Sequence, residues 1–197
     1  MANFSWPSFN QLKKKAQAQP GRSELAPVAL LSDSAPQFLA SALAGSLRNL
    51  GLDHPVWTAP LDQIEQQLLS PNSELWEKEA LITIVWEGGP GFRRRLRLYQ
   101  EQNRDALPAE AERLKALSQA AEQHGQSLLY CNQVEIADRL AGHWSGQMPT
   151  SFDYTSKAFN VLLWDLAREE KALQIFDLNA LAALHGHRHW IQPALAY

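Results

Sequence analysis

The sequence predicts an α/β protein in which a parallel sheet of five strands is covered by helices on both faces. Three observations carry this expectation. Short apolar runs alternate with amphipathic stretches along most of the chain. Those runs are apolar at successive positions rather than at every second one, as in strands buried on both faces. Gly, Pro, Ser and Asp punctuate the junctions. With 197 residues, 45% hydrophobic and 20% charged, the chain matches one soluble domain with a full core.

Residues 1–24 read as an N-terminal helix and linker, with a short helix through Gln11–Gln17 followed by Pro20-Gly21. The main α/β domain spans 25–197. Its first strand is "PVALLS" (27–32), short and bounded by Pro and Ser-Asp. Residues 36–50 form a helix, with Leu39, Leu43, Leu47 and Leu50 on one face and Gly51 just past its end. "PVWTAP" (55–60) is a second strand, and Leu61, Ile64 and Leu68 then fall at helical spacing up to Ser70-Pro71. "ALITIVWE" (80–87) is the strongest strand signal, β-branched and continuous, and Gly88-Gly89-Pro90-Gly91 reads as the turn after it. A helical region begins near 93, and a clearer helix runs from Pro108 to Gly125 with Ala111, Leu114, Leu117 and Ala121 inward. "SLLYCN" (127–132) is the fourth strand. After a long loop, 133–150, comes a helix with Phe159, Leu162, Leu163 and Leu166 at i, i+3, i+4, i+7. "LQIFD" (173–177) is the fifth strand, and Leu178–Leu184 a short helix. Five strands with right-handed crossovers give a three-layer, flavodoxin-like fold of strand order 2-1-3-4-5.

Composition excludes several function classes. No run approaches the 18 or so apolar residues of a membrane span, and the N-terminus lacks the apolar segment of a secretory signal. The single cysteine, Cys131, excludes an internal disulfide and fits a cytoplasmic location. Lying in an apolar strand end, it reads as buried filler. A net charge of −3 argues against general nucleic-acid binding. The basic runs Lys13–Lys15 and Arg93–Arg95 with Arg97 read as solvated faces. Gly88-Gly89-Pro90-Gly91 is neither a P-loop nor a dinucleotide fingerprint, so no cofactor is expected. His185, His187 and His189, at i, i+2, i+4, match no strong ligand pattern, so no metal is expected either.

In open α/β sheets, ligands sit outside the carboxyl ends of the strands. That selects Ser32, Asp33 and Ser34, then Glu87 and Gly88, then Asn132 with Gln133, and Asp177. Loop 133–150, with Glu135, Asp138, His143 and Trp144, could fold over the same edge. Ser34 admits two readings. Ser34-Ala35-Pro36-Gln37 matches a capping box, with the serine at N-cap and Gln37 at N3. A serine at a helix N-terminus also lies beside unpaired N–H groups that stabilise an oxyanion, and a late histidine would supply its base.

"VALLSDSAPQFLASAL", "APLDQIEQQLLSPNSELW", "LLYCNQVEI" and "FNVLLWDLAREEKALQIFDLNALAALHGHRHWIQPALAY" together resemble, in order and spacing, the N-terminal region of FkbH-like proteins. The resemblance covers roughly residues 26–197 and implies an SGNH/GDSL-hydrolase-like domain. Such a domain precedes a haloacid-dehalogenase-type domain in proteins that dephosphorylate a glyceryl unit. These proteins pass the acyl group to an acyl carrier protein in polyketide biosynthesis. The resemblance implies that Ser34 corresponds to the serine of the G-D-S block, with Ser32 in place of the leading glycine. Glu87-Gly88-Gly89 stands where G-x-N-D is expected. The late D-x-x-H block has no clean match, because Ala180 stands three residues after Asp177; His189 could stand in. The implied partners are an acyl carrier protein and a phosphatase/glyceryltransferase domain of the haloacid-dehalogenase type, fused or in trans. Because carrier proteins are acidic, Arg93, Arg94, Arg95 and Arg97 form the expected docking patch. The leading reading is an SGNH-like accessory, carrier-docking domain. The alternatives are a Ser34-dependent esterase or acyltransferase and a structural or oligomerisation module.

Overall fold

The computed structural model describes residues 7–135 and 142–186. Five strands form one parallel sheet in the order β2-β1-β3-β4-β5, with helices on both sides, which is the expected α/β topology. The chain divides into two compact units, 1–85 and 86–197, and the division falls inside β3 (Ile82–Trp86). Among the described residues, no helix is long and apolar enough to cross a membrane.

The first unit begins with α1 (Phe9–Ala18), longer at both ends than the sequence suggests because Ser8 and Gln11 close a capping box around its first turn. Helix α1 packs on α2 (Gln37–Asn49). The contact is close: a Cβ at Gly45 would stand 2.2 Å from the Leu12 carbonyl oxygen. Phe9 and Phe38 meet edge-on across the same pair, 5.8 Å between centroids. Arg48, on α2, is buried and donates to the carbonyls of Gln19, Leu52 and His54, tying the end of α1 to the loop that follows α2. Leu50, expected on the inner stripe of α2, instead ends the helix and is exposed.

Strand β1 (Val28–Ser32) is buried at all five positions, as a continuous apolar run predicts for a strand covered on both faces. It pairs in parallel with the short β2 (Val56–Thr58), Val28 opposite Val56. Helix α3 (Ile64–Leu69) buries Ile64 and Leu68. Helix α4 (Glu74–Glu77) has no counterpart in the sequence reading; a single turn is too short for a visible period. It is fixed by buried Gln67, whose side-chain carbonyl accepts from the Leu75 amide.

In the second unit, α5 (Gly89–Glu101) starts at the segment expected to be a turn. Gly88 is its N-cap in extended conformation and Pro90 lies in the first turn, where no N–H partner is lost. Helix α6 (Ala106–Gln123) is capped by Asp105 and buries Leu114, Leu117 and Ala121, whereas Ala111 lies only half-inward. Strand β4 (Leu128–Cys131) pairs in parallel with β5 (Leu173–Phe176). Between them run a 3-10 turn at Gly142–Gln147 and α7 (Phe152–Glu169), capped by Ser151. Helix α8 (Leu178–His185) follows β5. The unit's core centres on Phe92, Tyr130 and Phe159, all fully buried, with Phe92 and Phe159 4.6 Å apart. Burial of each phenylalanine contributes roughly 1.5–3 kcal/mol.

Candidate functional site

The end of β1 settles the capping question for α2. Helix α2 takes Pro36 as N-cap, in αR conformation and with no side-chain cap. Ser34 stands two residues earlier, exposed, and its N–H donates to Ser32 Oγ at 3.1 Å. The two hydroxyls are 3.3 Å apart. The capping-box expectation at Ser34 is therefore corrected. Proline, with its fixed φ and no N–H, occupies the boundary that S-x-x-Q would otherwise claim. No histidine is among the described hydrogen-bond partners of Ser34. Asp33 is half-buried between the serines.

At the end of β3, Glu87 is buried and belongs to a closed ion cluster rather than to an open cleft. Arg95 meets it bidentately, Nη1 to Oε1 at 2.8 Å and Nη2 to Oε2 at 3.0 Å. Arg95 also donates through Nε to Glu110 Oε1 at 2.5 Å. Arg113 reaches the same two acids, Nη2 to Glu87 Oε1 at 2.5 Å and Nη1 to Glu110 Oε2 at 3.4 Å. The Tyr130 hydroxyl donates to Glu87 Oε2. Two carboxylates and two guanidiniums sum to zero charge, which lets the cluster be buried. Burial works against the Arg95 charge and Arg113 repels it, yet Glu87 and Glu110 outweigh both and raise its pKa. Burial, aided by Glu110, pushes the Tyr99 hydroxyl up to about 12.

The expected docking patch is corrected at Arg95. Its side chain is consumed inside this cluster and only 16% exposed. Glu87 is corrected likewise as a ligand-binding residue, since both its oxygens are taken. Gly88 serves as the N-cap of α5. Arg94 and Arg97 are exposed, and Arg93 lies over the Phe152 ring, 4.0 Å from its centroid.

The ends of β4 and β5 are joined by amides and acids. Asn132 Nδ2 donates to Asp177 Oδ1 at 2.9 Å, and the Asn179 amide donates back to Asn132 Oδ1 at 3.0 Å. Asp177 also caps α8 by accepting from the Ala180 amide. Beside them, Asn160 of α7 exchanges hydrogen bonds with the Gln133 backbone at 2.9 and 2.8 Å and donates to Glu135. Gln133 Nε2 reaches the Glu87 carbonyl oxygen at 3.2 Å. Asn132 and Asp177, selected as binding residues, thus tie the sheet edge together and start a helix. Burial alone pushes the Cys131 thiol up to about 12, which keeps it protonated and unreactive, in line with its reading as filler.

His189, the candidate base, and His187 lie outside the described residues, as does Asp138. His185 and His143 are exposed. Among the described residues, no three His, Cys, Asp or Glu side chains are grouped to hold a metal. The residues that sequence reasoning missed are Glu110, Arg113, Tyr130 and Asn160. Glu110 carried a signal: it precedes Leu114, Leu117 and Ala121 at i, i+4, i+7, i+11 and so sits on an apolar stripe.

The fold has a solved counterpart. The chain is similar to the N-terminal part of a Bacteroides fragilis protein containing a phosphatase domain, solved with Mg. The identity is 24% and the TM-score 0.81, over 96% of this chain and 50% of that one. The chain therefore spans about half the length of that neighbour. No curated protein matches the sequence. The family model described as FkbH, N-terminal domain, matches residues 27–197, and the chain belongs to that family.

Proposed function

We propose that the chain serves an FkbH-type glyceryl-transfer system as an SGNH-like accessory domain that docks an acyl carrier protein, not as a hydrolase. The observation that carries this reading is the outer side of α5. Arg93, Arg94 and Arg97 make it basic on a chain whose net charge is −3, so the positive patch is local. Acidic carriers are steered to such a patch by electrostatics, which raise the association rate and fix orientation. Two further facts support an accessory role. The strand-end residues Glu87, Asn132 and Asp177 spend their hydrogen bonds internally. Ser34 is bonded to Ser32, and among the described residues no histidine is hydrogen-bonded to it as a nucleophile's base would be. The phosphate chemistry then falls to a phosphatase-type domain, fused or separate, as the phosphatase domain of the solved neighbour suggests. Loading of a glyceryl-derived acyl unit for polyketide biosynthesis completes the proposal.

The test is a fluorescence-anisotropy titration of the cognate acyl carrier protein against wild type and an Arg93→Glu/Arg94→Glu/Arg97→Glu variant. Affinity should fall at least about tenfold in the variant, and wild-type affinity should weaken with added salt. Equal affinities would refute docking at α5. Intact-mass measurement after a fluorophosphonate probe should leave the protein unlabelled. An adduct lost in Ser34→Ala would replace the accessory reading with a serine esterase or acyltransferase.

A further inference from the structure

A groove of about 410 Å³ opens in the second unit between α5, the start of α6 and the segment that leads into α7. Its size suits a small organic ligand. Arg93, Arg97 and Arg104 line it with one acid, Asp105, and of the three arginines Arg104 is already paired with Glu112. Leu96, Ala106, Pro149 and Phe152 supply apolar surface beside them. The groove is distinct from the strand-end residues and from the buried ion cluster.

Most of the described arginines are spoken for, Arg48 by backbone carbonyls and others by acids. Arg22, Arg95, Arg104, Arg113 and Arg168 each contact a carboxylate. Arg97, exposed and lining the groove, has no carboxylate partner among the described residues. Arg93 has none either; its guanidinium rests on the face of Phe152 at 4.0 Å, which holds it at the groove wall. Arg93 and Arg97 are one turn apart on α5, about 6 Å along the axis, so both can reach one multi-oxygen anion. Helices α6 and α7 begin at the same groove, but Asp105 and Ser151 already cap them. Affinity for an anion there rests on the guanidiniums. Thr155 Oγ donates to the Ser151 carbonyl and adds no donor. Asp105 would repel a second anionic group and accept from a hydroxyl or amide.

We infer that this groove binds a phosphate ester, with the phosphate between Arg93 and Arg97 and a short uncharged chain on Leu96, Ala106, Pro149 and Phe152. The site shares Arg93 and Arg97 with the proposed docking patch, but a phosphate-bearing probe reads it with no carrier present. It holds for a free phosphate compound or for a phosphate-linked chain carried on another molecule.

The test is isothermal titration of the whole chain at low salt with three probes: inorganic phosphate, 4′-phosphopantetheine and pantetheine. The two phosphate-bearing probes should bind and pantetheine should not. Arg93→Gln/Arg97→Gln should weaken phosphate binding roughly 10- to 100-fold, the effect of losing charge-assisted hydrogen bonds. Arg168→Glu, which changes an exposed charge on α7, should leave it unchanged. Circular dichroism of each variant checks the fold. Tighter binding of phosphopantetheine than of phosphate supports the site for a carried chain, and equal binding supports it for free phosphate. Absence of binding by both phosphate probes would overturn the inference, as would pantetheine matching phosphopantetheine or an unaffected double variant. A chain that fails the carrier titration yet binds phosphate here would separate the two readings.

Discussion

Glu110→Gln is the sharpest test of the buried cluster. The substitution keeps the volume and two hydrogen-bonding groups but removes one negative charge from a neutral group of four. Glu110 is fully buried, with Arg95 Nε at 2.5 Å and Arg113 Nη1 at 3.4 Å. At about 3 Å and an effective dielectric of 20, each guanidinium attracts the carboxylate by roughly 332/(20 × 3), or ~5.5 kcal/mol, before desolvation is counted. Much of that is offset by no longer burying the charge. The net cost of leaving a buried cation under-compensated is about 3–5 kcal/mol. For a chain of this length that is a fall in melting temperature on the order of 6–20 °C. Urea titration followed by circular dichroism, with a thermal scan, measures it. Added salt should recover little of the loss, because buried charges are weakly screened. Combining Glu110→Gln with Arg113→Gln restores neutrality, so the double variant should lose less than the sum of the singles. A loss below about 1 kcal/mol, or strict additivity, would refute the view that these four side chains act as one neutral unit.

Two other outcomes follow from the same structure. Gly45→Ala should destabilise the first unit although alanine is the better helix former by about 1 kcal/mol. The new Cβ would meet the Leu12 carbonyl oxygen at 2.2 Å, and backbone cannot step aside, so α1 must lift. A loss of roughly 1–3 kcal/mol and faster proteolysis between α1 and β1 are expected, and a more stable variant would contradict the close approach. On the alkaline side, stability should fall from about pH 9 towards pH 12, read by melting temperature and tyrosinate absorbance. The raised values of Cys131 and Tyr99, both about 12, mean the native state holds those protons while the unfolded state sheds them from about pH 9 and 10. The stabilisation is thus complete below those unfolded values and lost as the native groups titrate. An unchanged melting temperature at pH 11 would contradict it.

The sheet was legible because its signal is local and redundant. Strand β1 is apolar at consecutive positions, β3 is β-branched, and each connection is long enough for a parallel crossover, so strand order followed from topology rules. The start of α5 was not legible, because Gly-Gly-Pro-Gly carries a turn's composition. Only the first turn of a helix accepts such residues without losing a hydrogen bond, and the sequence does not mark where that turn lies. The capping box illustrates the same point. Ser34-x-x-Gln37 and Ser8-x-x-Gln11 are equal as patterns, yet only the second is made, because a proline takes the boundary in the first.

The arginine run is the more instructive failure, since its resolution was available in the spacing. Phe92, Leu96 and Tyr99 are the buried positions of α5. Arg95 lies three residues after one and four before another, so it shares their face, whereas Arg94 and Arg97 turn outward. A guanidinium on an apolar stripe needs a buried carboxylate, and α6 places Glu110 on its own apolar stripe. Each misplaced charge accounts for the other. What periodicity could not supply is the third member, Glu87, whose side chain reaches the cluster only once the chain has left β3. Charges that solve one another's burial belong to the architecture. Arg93 and Arg97, on the groove, have no carboxylate partner among the described residues and are placed to meet something from outside.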